Sequence, residues 1–170
     1  FLVTNGQEPD MIQKLQDEDA LPTQLYLSTN AADYESFLKI NRPKYDDSWE
    51  RWNQTLDMLK RLKTRTVLRI TLIRDFNDQP EMIPAFAEMF RKASPHFIEI
   101  KSYMHIGRST NRLEHSNMLE MEEVKKFSEQ VAKQSKIFSI MDESIISRIS
   151  ILQNNERSID RWIPTYANTN

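Results

Sequence analysis

Apolar residues along the chain alternate between two rhythms, short unbroken runs and longer stretches in which they recur every three or four positions. Phe1-Leu2-Val3, Leu25-Tyr26-Leu27-Ser28, Thr66 to Ile73 and Phe97 to Tyr103 are runs of the first kind and read as strands. Met11, Ile12 and Leu15 behind Pro9 predict a short helix. Tyr34, Phe37 and Leu38 predict another over 33–40, and Asn41-Arg42-Pro43 stops it because the residue before a proline is pushed out of the α region. The most strongly marked helix has Trp49, Trp52, Leu56, Leu59 and Leu62 on one face and Ser48 as its cap. Met82, Ile83, Phe86 and Phe90 mark a helix over 81–91 capped at Asn77-Asp78, and Met121, Val124, Phe127 and Val131 mark a long amphipathic one. Ile137 to Ile140 and Ile149 to Leu152 read as two last strands around a turn at Asp142-Glu143-Ser144. Strict alternation of strand and helix predicts an α/β fold with a parallel sheet.

With 170 residues, 39% of them hydrophobic and 28% charged, the chain fits one globular domain or part of a larger one and not a disordered segment. No apolar run approaches the roughly 20 residues of a membrane span, and no signal-peptide pattern opens the chain, so the reading is cytoplasmic with no membrane partner. Cysteine is absent, which removes disulfides, thiolate metal sites and cysteine nucleophiles from this polypeptide. His96, His105 and His115 show no metal-ligand spacing, so no metal residue is assigned, and HExxH, the phosphate-binding Gly-rich loop and GxSxG are all missing. The net charge of −2 gives no global basic field, so any nucleic-acid contact must be local.

In parallel α/β folds ligands bind at the carboxyl ends of the strands. The polar groups there are Thr4-Asn5-Gly6, Ser28 to Asn30, Arg69 to Thr71, and Lys101 to Tyr103. Ordinary strand-end capping is the plain alternative. Arg69 stands inside an apolar strand and must find a counter-ion or solvent. Glu99 and Lys101 share a face and could pair with each other; Lys101 could instead hold a substrate carboxylate or form a Schiff base. Arg108 and Arg112 flank the loop after the fourth strand and suit phosphate.

The segments Phe1 to Gln7, Pro22 to Ser28, Ile40-Asn41-Arg42-Pro43, Trp49-Glu50-Arg51, Arg65 to Leu72 and Phe97-Ile98-Glu99-Ile100-Lys101 resemble, in order and spacing, the radical-SAM family of tRNA wybutosine-synthesizing enzymes in its archaeal-like form, carboxyl-terminal half only. The resemblance runs on through Asn111-Arg112-Leu113 and Asp142-Glu143-Ser144, over about residues 1 to 163. It implies the carboxyl-terminal part of a partial (β/α)6 TIM-like barrel with extra C-terminal strands. It also implies S-adenosylmethionine and [4Fe–4S] clusters in the full-length protein, tRNA and pyruvate as substrates, and a lyase that condenses pyruvate carbons with N1-methylguanosine in phenylalanine tRNA to form 4-demethylwyosine. Position by position, it implies cofactor contacts at Asn5, Ser28, Asn30, Arg69 and Thr71, with Asn30 standing where the family more often has Asp. Lys101 becomes the candidate catalytic residue, and Arg108 and Arg112 the candidate RNA contacts.

The cluster cysteines would then lie upstream, and this chain alone is expected to be inactive. Its opening inside a strand suggests a missing amino-terminal half of the barrel or a second chain on the open edge. The expected organisation is residues 1–135 as the barrel half, 136–163 as an extension of the same domain and 164–170 as a tail. Two other readings stand beside this one: a non-catalytic α/β module that binds RNA or a partner, and another radical-SAM lyase or methyltransferase.

Overall fold

The computed structural model describes residues 1–163; the expected tail at 164–170 lies outside the described residues. Six strands, β1 (Leu2–Thr4), β2 (Gln24–Ser28), β3 (Arg65–Leu72), β4 (Phe97–Ser102), β5 (Phe138–Ser144) and β6 (Ile149–Asn154), form one sheet in the order β1-β2-β3-β4-β6-β5. Five α-helices connect them: α1 (Pro9–Asp17), α2 (Tyr34–Asn41), α3 (Ser48–Met58), α4 (Ile83–Ala93) and α5 (Met121–Ser135). Strands β1 to β4 pair in parallel, as the alternation predicts.

The last two strands depart from that pattern. β6 runs antiparallel to both β4 and β5, so the sheet is mixed. β5 is therefore parallel to β4 but one strand away, and β6 folds back through a four-residue turn to fill the gap. Asp142, Glu143 and Ser144 belong to β5 and not to the turn; a register shift between Ile140 and Asp142 lets the strand continue, and Arg148 at φ 51° closes the turn with a bond from its N–H to the Ile145 carbonyl.

Alternate strand residues settle which face is covered. Leu25, Leu27, Leu68, Ile70, Leu72, Ile98, Ile100 and Leu152 are fully buried and join the core that Trp52, Phe86, Phe90, Phe127 and Val131 bring from the helices. Phe86 packs edge-on against Phe127, and Phe90 against Phe138, tying α4, α5 and β5 together. The intervening residues, Tyr26, Ser28, Arg65, Arg69, Thr71 and Lys101, are only partly buried on the opposite face.

Two predicted caps are replaced. Asp47 precedes α3 without a side-chain cap bond, and the Ser48 hydroxyl donates to the Tyr45 carbonyl at 2.6 Å. Asn77 caps no helix and is bonded inward. A 3-10 turn at Pro80–Met82 leads into α4 instead. Asp33 does cap α2, accepting the Ser36 N–H at 2.9 Å, and the helix ends at Asn41 before a left-handed Arg42. Gly6 is required where it stands: its φ is +76°, and a Cβ there would lie 2.7 Å from Leu27 Cδ1 and 3.1 Å from Trp52 Cδ1.

At the amino-terminal ends of β3 and β4, His96 Nδ1 accepts the Thr66 N–H at 3.1 Å. Burial, reinforced by the Arg157 and Arg65 guanidiniums, lowers its pKa to about 4. The unfolded chain therefore binds the more protons between pH 6.5 and 4, and the stability present above pH 6.5 is lost as the pH falls through that window. Denaturant melts should show a midpoint that drops on acidification from pH 6.5 to 4, with a shallower slope in His96→Asn; an equal slope in both proteins would contradict this assignment.

Candidate functional site

The carboxyl ends of β1 to β4 open on a cleft of two adjoining cavities. One, of about 440 Å³, is walled by Asn5, Gln7, Ser28, Asn30, Phe37 and the 41–45 segment. The other, of about 430 Å³, is walled by Asn30, Asn41, Thr71, Lys101, Tyr103 and Arg112, among others. Asn30 and Asn41 line both, and Asn30 Nδ2 donates to Asn41 Oδ1 at 3.3 Å, so this pair forms the partition.

Each wall residue is held by local chemistry. Thr4 Oγ1 accepts the Gly6 N–H and Asn5 Oδ1 accepts the Gln7 N–H, a turn that leaves the Asn5 amide donors available. Asn30 Oδ1 accepts the Thr71 N–H at 3.1 Å, which locks the end of β2 to β3. Behind them the buried Asn77 donates to the carbonyls of Asn30 and Thr71 at 2.8 and 2.9 Å and accepts the Ile73 N–H at 2.7 Å. An amide with both ends satisfied is the group that can bridge these strand termini without leaving an orphan.

Lys101 is half-buried beside Thr71, its register partner, and no carboxylate among the described residues lies within ion-pair distance. The expected pairing with Glu99 does not form. Glu99 instead takes Arg69, with Nε to Oε1 at 2.8 Å, because the two are register partners across β3 and β4. The Nε–H points away from the carboxylate, so the contact is ionic and the donor is left without a hydrogen bond. The Arg69 guanidinium also lies over the Tyr26 ring at 4.3 Å. Burial, then the Glu99 charge, raises the Tyr26 pKa above its ordinary value. Arg69 thus lies in a layer below the cleft and lines neither of its cavities.

The structure brings Asn5, Ser28, Asn30, Thr71, Lys101 and Arg112 to the cleft. Arg112 is anchored there by a bond from Nη1 to the Ile40 carbonyl at 3.1 Å. Arg108 stands exposed on a 3-10 turn, Gly107–Asn111, and does not line it. Gln7, Asn41 and Asn77 went unread as site residues. Gln7 gives its amide N–H to the Ser48 carbonyl while Oε1 stays buried without a partner beside the first cavity. Amides and a hydroxyl on one side and an ammonium and a guanidinium on the other suit a polar ligand bearing an anionic group. Among the described residues no group of three His, Asp or Glu could hold a metal ion, and no helix is long and apolar enough to cross a membrane.

Residues 92–154 match the family model described as wyosine base formation. The S-adenosyl-L-methionine-dependent tRNA 4-demethylwyosine synthase of Methanocaldococcus jannaschii is 41% identical over 160 residues, which are 94% of this chain and 48% of that protein. The chain belongs to the 4-demethylwyosine synthase family. It spans about half the length of the curated relatives it matches. The solved structure of TYW1 with a lysine-pyruvate adduct bound superposes with a TM-score of 0.80 at 40% identity, over 92% of this chain and 47% of that one. Coproporphyrinogen III oxidase (HemN) from Escherichia coli, a radical SAM enzyme, shares the fold with a TM-score of 0.56 at 12% identity, over 92% of this chain and 35% of that one.

Removing one member of the Arg69–Glu99 pair strands the other, since the Glu99 side chain is only 11% exposed. Arg69→Ala should cost about 3 kcal/mol in denaturant unfolding, whereas Arg69→Met with Glu99→Leu should cost clearly less. A double variant as unstable as the sum of both single changes would contradict the pairing.

Proposed function

We propose that this chain is the carboxyl-terminal half of a radical-SAM tRNA 4-demethylwyosine synthase, a cytoplasmic lyase of wybutosine biosynthesis. In this reading β1 to β4 continue a partial (β/α)6 barrel whose other strands join at the β1 edge. Phe1, Leu2 and Val3 are exposed along that edge, in keeping with a missing neighbour. The observation that carries the proposal is the cleft, where four consecutive strand ends of a family member deliver donors and cations to one opening.

The first cavity fits S-adenosylmethionine in chemistry: amide and hydroxyl donors at Asn5 and Ser28, an unpartnered acceptor at Gln7, and an aromatic wall at Phe37 and Tyr45. Bound beside a [4Fe–4S] cluster whose cysteines lie outside this chain, the cofactor supplies radical chemistry. Asn5 and Ser28 would hold its methionine or ribose part, Asn30 and Thr71 the ribose side nearer the partition, and Arg69 with Tyr26 and Glu99 the floor beneath. Asn30 is neutral where the family more often has Asp, so it binds a hydroxyl without adding charge.

Lys101 would hold the pyruvate carboxylate as an ammonium. Asn30 and Thr71 line the same cavity and would offer polar groups to the rest of the ligand. The relative with a lysine-pyruvate adduct bound supports pyruvate as the ligand class. Arg112 at the lip and Arg108 on the outer turn would meet tRNA phosphates.

The test joins this chain to the other half of a family member and supplies tRNA, pyruvate, S-adenosylmethionine and a reductant. Product should be 4-demethylwyosine, and none would overturn the proposal. Lys101→Ala should lower kcat/KM for pyruvate by roughly 10- to 100-fold, the worth of one charge-assisted bond, with tRNA affinity unchanged. Borohydride in the presence of pyruvate should leave Lys101 unmodified; a reduced adduct on Lys101 would overturn its ionic role. The isolated chain should take up no iron–sulfur cluster on anaerobic reconstitution, and a stoichiometric cluster would place ligands where this reading has none.

A further inference from the structure

The loop after β4 carries a chain of hydroxyls and an imidazole whose proton directions are fixed by the acceptor at its end. The Ser109 hydroxyl lies 2.7 Å from the Ile106 carbonyl oxygen, which can only accept, so the Ser109 proton points there. Tyr103 Oη lies 3.0 Å from Ser109 Oγ, which has no second proton to give, so Tyr103 donates to Ser109. The Tyr103 oxygen, 3.2 Å from His105 Nδ1, must then accept, which places a proton on Nδ1 and, in the neutral ring, leaves Nε2 bare. Tyr103 and Ser109 both line the Lys101 cavity, although Tyr103 is only 5% exposed. His105 is half-buried, and the exposed His115 ring packs edge-on against it with centroids 6.1 Å apart. The chain therefore runs from the cleft wall toward the surface.

We propose that Tyr103 is an acid–base catalytic residue of this cleft and that His105 is its positioning residue and proton source. The assignment rests on the synthase reading above, which seats pyruvate at Lys101 with tRNA at the lip of the same cleft; it adds that the exocyclic amine of the substrate guanine reaches the pyruvate carbonyl there. When the amine nitrogen adds to the carbonyl carbon, the C–N bond forms and the carbonyl π pair moves to oxygen. The Tyr103 proton turns from Ser109 to that oxygen, His105 Nδ1–H restores the proton of Tyr103, the amine gives its proton to water, and Nε2, outside the cavity wall, takes one up from solvent. The ring ends neutral with its proton moved from Nδ1 to Nε2, and the product is a neutral carbinolamine.

Nitrogen-15 spectra of the histidine-labelled chain should show His105 as the Nδ1–H tautomer in the wild type and lose that preference in Tyr103→Phe. An Nε2–H tautomer in the wild type overturns the relay. In the full-length enzyme Tyr103→Phe should lower kcat by at least about tenfold, within the range of acid–base contributions, with pyruvate KM and tRNA affinity within about twofold. His105→Asn, whose amide N–H stands where Nδ1–H stood, should retain more activity than His105→Ala. An unchanged kcat in Tyr103→Phe, or equal losses in the two His105 variants, overturns the role alone; an inactive wild type overturns both the role and the reading beneath it.

Discussion

Helices cover one face of the sheet, and side chains alternate between faces along each strand. Those two constraints divide the chain's chemistry. Leu25, Leu27, Leu68, Ile70, Leu72, Ile98 and Ile100 are committed to the covered side. Every second residue, from Tyr26 and Ser28 through Arg69 and Thr71 to Glu99 and Lys101, must then face the other way. A slip of one residue would move charged side chains to the covered face and leucines to the open one, so the same burial that stabilises the core also holds the open-face side chains in register.

On the open face polarity is layered. Arg69 is held below the cleft by the Glu99 charge and the Tyr26 ring, while at the next pair on that face Thr71 and Lys101 line the cleft itself. The partition above them depends on amides: Asn77 beneath, Asn30 between, Asn41 opposite. Amides suit this place because each can donate and accept at once, bridging strand ends that have both N–H and C=O groups to satisfy.

Much of this was legible in the sequence, and the exceptions have physical causes. The period-two and period-3.6 patterns locate every strand and α-helix, and the polar strand ends mark the cleft, because both signals are local. Non-local pairing is what they miss. The run Glu99-Ile100-Lys101 shows two charges on one face of a strand, yet cannot reveal that Arg69 is the register partner that takes Glu99. The alternation gives β5 its direction but not the insertion of β6 between β4 and β5, which depends on a turn tight enough to fold straight back. Asn77 reads as a helix cap because amides commonly cap helices; its partners are Thr71 on β3 and Asn30 and Ile73 just past the ends of β2 and β3.

The family's curated relatives are about twice the length of this chain, and in the function proposed above the open face is one side of a larger enclosure. The account stands on the cleft being where cofactor and substrate meet. The most direct measurement is a crystal structure of the full-length enzyme with S-adenosylmethionine and pyruvate bound. It should place Asn5 and Ser28 within hydrogen-bond reach of the cofactor, about 3 Å, and the Lys101 ammonium within about 4 Å of the pyruvate carboxylate. Both ligands bound away from these strand ends, with Asn5, Ser28 and Lys101 touching neither, would contradict it.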